Sequence, residues 1–468
     1  MSINFFLGEE QMLELNKIYE NVTCIDMTTE GMGICIIEER RVFVSQFFLG
    51  EVANIKIIKI RSKYVNGTID KFITEKPVRI DSLLAKNGKQ NFGGCDLQWL
   101  NYAAQLELKQ YTAKKMMQLT TRDTEFTLKE IIGSKKFENY RNKMQYVLTQ
   151  EANGKINACF YRKNTKTPLI VENDFLAHPQ IVEFVEYLVE RMQKFEVPIY
   201  SDYGKINGVR ELVIRYFEKT NELMVVFISN IRKIPNLASL SHYLFDNIDN
   251  LKSIMQNINP DNSGQVFGYK TICLSGREWI QDELNNLTFN VPATAFYQIN
   301  QVQAANIYND VAKLASFDKQ TTVLDFYCGI GTMTLMLAEQ AAKVIGVEIE
   351  KAAVEMAKEN AILNAITNAE FYNENVDSFI TNYEREDAGR LVVLIDPPRK
   401  GCSELFIEQV VGLQPDEIVY VSCNPQTLAR DLVQFKSLGY DYGEVQPYDM
   451  FAQTLHVETI VMLTHDLA

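Results

Sequence analysis

Alternating strand and helix patterns in the last third of this 468-residue chain constrain its fold more than any other feature. Runs rich in valine, isoleucine and leucine predict strands at 321–326, 343–348, 391–396 and 417–422. Between them, apolar residues recur with helical spacing at 333–341, 350–363 and 403–412. Strands that alternate with helices form a parallel sheet with right-handed crossovers. We therefore predict a doubly wound, Rossmann-like α/β domain for residues 291–468.

The final two strand patterns, near 441–447 and 456–463, have no helical pattern of any length between them. Neighbouring strands that lack a crossover helix run antiparallel. We therefore expect an antiparallel hairpin at one edge of the otherwise parallel sheet.

The first part of the chain, residues 1–80, predicts a small β-barrel. Short alternating strands, separated by glycines, occur at 22–25, 34–37, 42–44 and 52–58. Regular short strands with glycine turns are typical of small barrels.

Between 81 and 290 the sequence contains both helical and strand-like patterns. Helical patterns cover 97–117 and 179–195, and strand-like runs occur at 158–161, 211–216, 223–228 and 265–271. We predict a central α+β domain with an antiparallel sheet.

The composition indicates an ordinary globular protein, with 46% hydrophobic and 23% charged residues. No apolar run is long enough for a transmembrane helix, and the amino terminus lacks the pattern of a signal peptide. We expect a cytoplasmic protein with no membrane partner.

The cysteines include no CxxC pair, which argues against a disulfide framework and a structural zinc site.

A net charge of −13 is unusual for a nucleic-acid-binding protein. Local basic clusters exist nevertheless, because Lys56, Lys59, Arg61 and Lys63 follow one strand pattern. Such a cluster is either a solvated face or a local binding surface for an anionic partner.

A glycine-bearing turn after the first strand of the α/β domain predicts a ligand at a helix N-terminus. Gly329 and Gly331 allow the backbone to approach a ligand closely. Thr334 stands where a dinucleotide-binding motif has its third glycine, which disfavours a pyrophosphate site. Glu348, at the end of the next strand, can accept hydrogen bonds from ribose hydroxyls. A nucleoside without a diphosphate fits this pattern, and S-adenosylmethionine is such a ligand; a plain structural turn is the alternative.

The sequence Asp396-Pro397-Pro398-Arg399 ends the third strand and predicts a rigid loop that holds an acid at the ligand-binding edge. Amino-group methyltransferases carry a similar acid or amide, then two prolines and an aromatic residue that stacks on the target base. Arg399 takes the aromatic position here, which disfavours an exocyclic amine as the target.

Cys423 follows the fourth strand, and Glu458 lies in an alternating apolar run near the carboxyl end. Carbon-5 of a pyrimidine is a poor nucleophile, so its methylation requires a thiolate that adds to C6 and a base that removes the C5 proton. Cys423 and Glu458 are candidates for these roles. Alternatively, the thiol is buried at a strand end and the carboxylate is exposed on an edge strand.

The chain resembles the RNA uracil-5 methyltransferases, which make 5-methyluridine in tRNA or 23S ribosomal RNA. The likeness rests on six segments in the same order, namely 296–300, 325–331, 346–348, 396–401, 422–425 and 456–458. The segments at 30–34, 42–44 and 49–52 resemble a TRAM domain, an OB-like RNA-binding barrel, which fits the ribosomal branch.

The resemblance implies that four residues contact S-adenosylmethionine, namely Gln298, Tyr327, Glu348 and Asp396. It further implies that Cys423 is the nucleophile and Glu458 the proton acceptor. The expected partner is RNA, with 23S ribosomal RNA favoured over tRNA, and we expect a monomer. Two alternatives remain, the same reaction on tRNA and a non-catalytic RNA-binding protein of the same fold.

The ribosomal enzymes often hold a [4Fe–4S] cluster with four cysteines, three of them around a Cys-Gly-Gly-Cys segment. This chain has Phe92 and Phe175 where two of these cysteines belong and retains only Cys95. One thiolate cannot hold such a cluster. We therefore predict that no iron–sulfur cluster is bound and that apolar packing replaces it.

Overall fold

The structure is a computed structural model, and it describes residues 13–80, 94–123, 126–163, 165–170, 174–201, 204–261, 264–385 and 389–465. Within these residues no helix is long and apolar enough to cross a membrane. The expected position of one cluster cysteine, Phe92, lies outside the described residues.

The amino-terminal part forms a six-stranded, barrel-like sheet in the order β1-β5-β6-β4-β3-β2. Its strands are β1 (Ile18–Thr23), β2 (Asp26–Met27), β3 (Met32–Ile37), β4 (Arg40–Ser45), β5 (Val52–Ile60) and β6 (Val65–Thr74). Alternate residues of β3 and β5 are buried, as expected for strands with one face on a core. The long strand β6 was not predicted, because its outer half is polar.

Helix α1 (Tyr102–Thr121) links this sheet to the rest of the molecule. It begins five residues later than the pattern at 97–117 predicts, because Asn101 caps it and accepts a hydrogen bond from the Ala104 amide at 2.9 Å. It ends at Arg122, which is in the left-handed conformation.

The central part is a seven-stranded sheet in the order β13-β12-β11-β10-β7-β8-β9. Its strands are β7 (Lys143–Gln150), β8 (Ile156–Tyr161), β9 (Pro168–Ile170), β10 (Val209–Phe217), β11 (Glu222–Ser229), β12 (Leu251–Ile258) and β13 (Lys270–Gly276). Helices α2 (Pro179–Lys194) and α3 (Leu237–Asn247) pack on one face. Hairpin strands β14 (Trp279–Leu284) and β15 (Leu287–Pro292) share an apolar core with the other face.

Two sequence predictions for the central part are wrong. The sheet is not purely antiparallel, because β11 and β12 are parallel and are connected through α3. The strand predicted at 265–271 lies at 270–276 instead. The side-chain amide of Asn259 donates hydrogen bonds to the carbonyl oxygens of Gln265 and Val266, so this segment is held as a loop.

The carboxyl-terminal part is an α/β domain whose sheet has the order β18-β17-β16-β19-β20-β23-β21, with β22 also paired to β23. The strands are β16 (Thr322–Phe326), β17 (Lys343–Glu348), β18 (Ala369–Asn373), β19 (Leu391–Ile395), β20 (Glu417–Ser422), β21 (Tyr440–Tyr442), β22 (Gln446–Tyr448) and β23 (Glu458–His465). The helices are α4 (Gln301–Leu314), α5 (Thr332–Ala338), α6 (Lys351–Leu363), α7 (Val376–Asn382), α8 (Glu404–Gly412) and α9 (Pro425–Ser437).

The predicted α/β architecture is confirmed, with the first five strands parallel and β23 antiparallel to β20. The carboxyl-terminal strands form more than a hairpin, because β23 lies between β20 and β21. Buried residues of β10, β14, α4 and β16 belong to one apolar core. The central sheet is therefore packed directly against the α/β domain.

Candidate active site

Four strand ends and one strand start bring the candidate residues to one edge of the α/β sheet. Tyr327 follows β16, Glu348 ends β17, Asp396 follows β19 and Cys423 follows β20. Glu458 begins β23, which runs in the opposite direction and therefore starts at the same edge. In open α/β sheets ligands bind outside this edge.

The register of β20 and β23 puts the thiol and the carboxylate opposite each other. Ser422 is paired with Thr459, and the Thr459 hydroxyl donates a hydrogen bond to the Ser422 carbonyl oxygen at 3.1 Å. Extending this antiparallel register by one residue aligns Cys423 with Glu458. A nucleophile and a proton acceptor can therefore act on one small ring held between them.

Cys423 lies directly before helix α9. Asn424 caps the helix, and its side-chain oxygen accepts a hydrogen bond from the Gln426 amide at 3.1 Å. Burial, together with the charges of Glu458 and Asp396, raises the pKa of the Cys423 thiol to about 11, and Arg399 acts in the opposite direction. The helix N-terminus also favours the thiolate.

Arg399 and His456 flank the thiol and contact each other. The guanidinium of Arg399 donates a hydrogen bond to Nε2 of His456 at 3.2 Å. Burial and the charge of Arg399 lower the pKa of His456 to about 4, so its imidazole is neutral at physiological pH. Because arginine can only donate, Nε2 is the acceptor and the ring proton is on Nδ1. Arg399 is thereby the positive charge fixed beside the thiol.

Two carboxyl groups share the site with the thiol and repel each other when ionised. Glu458 is 5% exposed, and burial together with the charge of Asp396 raises its pKa to about 8. Burial raises the pKa of Asp396 to about 7. Near neutral pH both groups therefore exchange protons readily, as a general acid or base requires.

The raised pKa of Glu458 predicts a pH-dependent stability. The folded protein keeps a proton on Glu458 that the unfolded chain releases, so stability is lost as pH rises from about 4.5 to about 8. Glu458→Gln cannot ionise, and its melting temperature is expected to fall less over this window. At pH 8 the variant is expected to be more stable than the wild type, by about 1 kcal/mol or more. Calorimetry at several pH values checks this, and parallel curves for the two proteins would contradict it.

The glycine turn lies on the other side of this edge. Gly329 has a φ of 57°, and no atom lies within 4 Å of the position that a Cβ would take there. Its amide donates a hydrogen bond to Glu348 at 3.2 Å, and the Glu350 amide donates to the same carboxylate at 2.9 Å. Glu348 is thus fixed beside the glycine turn, and its remaining lone pairs can accept further hydrogen bonds.

Two buried acceptors near this turn have no hydrogen-bond partner. They are Oε1 of Gln298 and Oδ1 of Asp325. The other oxygen of Asp325 accepts a hydrogen bond from the Thr334 hydroxyl at 2.5 Å, and the Gln298 carbonyl oxygen accepts one from the Asn142 amide at 2.9 Å. Buried polar atoms without partners are costly unless a ligand satisfies them. Unpaired acceptors beside acids fit a ligand that carries positive charge and N–H donors.

Tyr308 of α4 is a site residue that the sequence did not indicate. Burial and the negative charges of Asp396, Glu458 and Asp325 raise the pKa of its hydroxyl. The three acids therefore converge around one phenol. The single available signal, a tyrosine on the buried face of a helix that begins just after Gln298, is too common to identify a site.

Tyr327, a predicted cofactor contact, packs against Phe406 of α8, and the centres of the two rings are 5.8 Å apart.

A buried polar network connects α1 to the segment that precedes Glu458. Lys109 and Asp449 form an ion pair at 2.5 Å with both side chains fully buried. The Tyr102 hydroxyl donates a hydrogen bond to the same aspartate at 2.7 Å, and Gln105 bonds to Gln453 at 2.9 Å. Such a network fixes the loop from 449 to 457 because breaking any one bond leaves a buried group unpaired.

A cleft of about 760 Å³ runs from Cys423 to the amino-terminal sheet. On one side it is lined by residues of β3 and β4, including Met32 and Ser45, and on the other by Arg399 and His456. The amino-terminal sheet therefore forms one wall of the channel that leads to the thiol.

The expected iron–sulfur region is apolar where the structure describes it. Cys95 and Phe175 belong to one buried cluster that also contains Tyr140, Leu169 and Ala452. Burial raises the pKa of the Cys95 thiol. Among the described residues, no three His, Cys, Asp or Glu side chains are grouped to hold a metal ion. The absence of a cluster stays a prediction.

Comparisons with known proteins agree with these features. The model of the tRNA (uracil-5-)-methyltransferase family matches residues 101–466. A protein of Bacillus cereus named as an uncharacterized RNA methyltransferase is 35% identical over 94% of this chain and 95% of its own length. One of Clostridium tetani with the same name is 34% identical, over 96% and 97%.

A solved structure shares the fold. The crystal structure of a Pyrococcus abyssi tRNA (uracil-54, C5)-methyltransferase, in complex with S-adenosyl-L-homocysteine, has a TM-score of 0.74. The two chains are 24% identical, and the likeness covers 95% of this chain and 99% of the other. The predicted fold class is thus confirmed, and the family model and the relatives confirm the prediction of a methyltransferase. The family model, which spans most of the chain, and the close relatives together establish that this protein belongs to the tRNA (uracil-5-)-methyltransferase family.

Proposed function

We propose that this protein transfers a methyl group from S-adenosylmethionine to carbon-5 of a uridine in RNA, through a covalent bond between Cys423 and carbon-6. The observation that carries this proposal is the alignment of Cys423 with Glu458 across β20 and β23. A methyltransferase that acts on a nitrogen needs no such pair. Membership of the uracil-5 family supports the same chemistry.

The buried acceptors fit S-adenosylmethionine, which supplies an electrophilic methyl group when it is bound. Gln298 and Asp325 have free acceptor atoms for its amino group, and Glu348 stands at the open glycine turn to accept bonds from ribose hydroxyls. Asp396 holds negative charge between this region and Cys423. The proposed cofactor contacts are therefore Gln298, Tyr327, Glu348 and Asp396, as the sequence predicts, with Asp325 in addition.

In the proposed reaction the Cys423 thiolate forms a bond to carbon-6 of the uracil and makes carbon-5 nucleophilic. Carbon-5 then takes the methyl group, and Glu458 accepts the C5 proton. The S–C6 bond breaks with that proton transfer, which restores the double bond of the ring and releases the Cys423 thiolate. Arg399 stabilises the thiolate before the first bond forms, because its positive charge opposes the rise in the pKa of Cys423 that burial and the two acids cause.

Access to the thiol supports RNA as the substrate. The cleft beside Cys423 continues along the amino-terminal sheet, so a strand of RNA can extend from the site over that sheet. Only an extruded, unpaired base can reach a thiol at the bottom of such a cleft. We propose that the amino-terminal sheet is a TRAM-like RNA-binding domain.

We propose 23S ribosomal RNA as the preferred substrate, on the likeness of the amino-terminal segments to a TRAM domain. The second candidate is tRNA, and it is favoured by the Pyrococcus abyssi enzyme, which matches this chain over 95% of its length and is named for uracil-54 of tRNA.

Mass spectrometry separates these substrates. Ribosomal RNA and bulk tRNA, each from a strain that lacks the gene, are incubated with the protein and methyl-labelled S-adenosylmethionine. Labelled 5-methyluridine in 23S ribosomal RNA is the expected result. Label in tRNA alone would replace the proposed substrate and keep the reaction. Label in neither RNA, with cofactor still bound, would favour the non-catalytic RNA-binding protein.

A further inference from the structure

Two cations lie side by side on the face of the central sheet that packs against the α/β domain. Lys143 of β7 and Arg215 of β10 are direct cross-strand partners. Arg215 is fully buried, and its immediate neighbours on that face, Val213 and Phe217, belong to the core shared with the α/β domain. Like charges placed directly opposite each other on a sheet destabilise it.

Neither cation has an acidic partner among the described residues. Arg215 donates one hydrogen bond, to the carbonyl oxygen of Ala295, and its Nε and Nη1 atoms are buried without any partner. The Lys143 ammonium lies 5.7 Å from the centre of the Phe267 ring. Burial and the charge of Arg215 lower the pKa of Lys143 to about 7. Arg215 therefore has buried N–H donors without acceptors directly beside the Lys143 ammonium.

Such a pair costs stability in the free protein. Buried charges are normally paired with an opposite charge, and an unpaired donor loses its bonds to water without replacement. Elsewhere this chain follows that rule, because the fully buried Lys109 is paired with Asp449. An anion bound by the half-buried Lys143 ammonium would be stabilised by the positive charge of Arg215 directly behind it.

The cations adjoin the proposed reaction site. Ala295, which bonds to Arg215, precedes Phe296, and that ring is 72% exposed. Asn142, the neighbour of Lys143, donates its side-chain hydrogen bond to the Gln298 carbonyl oxygen and its backbone hydrogen bond to that of Ile299. One short loop thus separates the cation pair from the groups that surround Tyr308.

We propose that Lys143 and Arg215 bind a phosphate group of the RNA backbone beside the target uridine. Lys143 is half-buried and makes the direct contact, and the fully buried Arg215 adds positive charge from behind it. This inference rests on the proposed function, because it takes RNA as the substrate whose backbone supplies the phosphate. A phosphate near an extruded nucleotide would fix the backbone where the base leaves the stack.

The cofactor carboxylate is the other anion to consider. It must be considered because Gln298, a proposed cofactor contact, lies in the same loop as Ala295, which bonds to Arg215. Phe296 of that loop is 72% exposed and offers a surface on which an RNA base can stack, which favours the RNA backbone as the ligand. Separate binding measurements distinguish the two anions.

The test compares Lys143→Met, Lys143→Arg and a control, Lys155→Met, whose lysine is exposed in the turn between β7 and β8. Binding of a short uridine-rich single-stranded RNA is measured over a range of salt concentrations without cofactor, so that no turnover occurs. Lys143→Met is expected to weaken binding about tenfold, as for the loss of one charge-assisted hydrogen bond. The slope of the logarithm of the binding constant against the logarithm of the salt concentration is expected to become less negative by about 0.7. That is the contribution of one phosphate contact on a single strand.

Lys143→Arg is expected to retain both affinity and slope, and Lys155→Met to change neither. The melting temperature of free Lys143→Met is expected to be equal to or above that of the wild type, because an unpaired buried charge is removed. An unchanged salt slope would overturn the proposal, as would a loss of S-adenosylhomocysteine affinity in place of RNA affinity. The binding assay involves no turnover, so its result is independent of the methylation assay. A negative methylation assay would leave the phosphate site intact, and a negative binding assay would leave the proposed reaction intact.

Discussion

Cys423→Ala is expected to abolish RNA methylation and to leave cofactor binding intact. Without the thiol no bond to carbon-6 can form, and carbon-5 of uracil is too weak a nucleophile to take the methyl group unaided. Loss of a covalent nucleophile is expected to lower turnover by at least about 10⁴-fold. The groups proposed to hold S-adenosylmethionine, Gln298, Asp325 and Glu348, are on other elements and keep their hydrogen bonds.

Cys273→Ala is the matched control. Cys273 and Cys423 are the partly exposed thiols, and the other six cysteines are buried. Single-turnover assays with labelled cofactor measure the rate, and calorimetric titration with S-adenosylhomocysteine measures cofactor affinity. Cys423 is partly exposed, so its replacement by alanine leaves no buried cavity and the fold is expected to remain stable. Normal methylation by Cys423→Ala would eliminate the covalent mechanism.

The edge of the α/β sheet was predictable from the sequence because it depends on local patterns. Strands β16, β17, β19 and β20 lie within a residue or two of their predicted limits, and parallel strands necessarily end on one side. That rule alone brings Tyr327, Glu348, Asp396 and Cys423 together. Glu458 joins them because a final antiparallel strand begins where the parallel strands end.

The features that sequence did not predict depend on contacts between distant residues. The charges around Tyr308 come from three different strands, and the pairing of Lys109 with Asp449 joins residues 340 positions apart. The parallel pairing of β11 and β12 was missed for a different reason, because helix α3 and strand β12 between 237 and 258 were not predicted. Helix α9 could have been found, because Asn424 and Pro425 form an N-cap followed by proline at the first helical position.

The cation pair shows why a burial pattern alone does not reveal a binding site. Lys143 and Arg215 lie 72 residues apart in sequence, and no strand was predicted at Lys143. Only the register of β7 and β10 makes them neighbours, and the packing of that face against the α/β domain buries Arg215. Sites built from tertiary pairing are therefore found after the fold, whereas sites at strand ends are found before it.

Glu458→Gln is expected to trap a covalent complex between protein and RNA. Cys423 can still add to carbon-6 and the methyl group can still be transferred, but no carboxylate remains to accept the C5 proton. The S–C6 bond then has no pathway to break, so the adduct accumulates while turnover falls by about 10²- to 10⁴-fold. An adduct that survives denaturation is detected as a protein band of higher mass carrying labelled RNA. It should also carry the methyl label.

The position of Glu458 makes the glutamine variant a sharp test. Glutamine has nearly the same shape, and it removes a carboxyl group whose pKa is raised by burial, so the variant is expected to fold at least as well as the wild type. Glu417→Gln is the control, because Glu417 is a buried carboxylate at the opposite end of β20, paired with Arg390. That variant should turn over normally and leave no adduct.

Glu458→Gln could also leave no adduct and still methylate RNA. The proton would then have another acceptor. Asp396, whose pKa of about 7 suits the role, would be the next candidate. An adduct that lacked the methyl label would instead assign Glu458 a role before methyl transfer, because the trapped species would then precede that step.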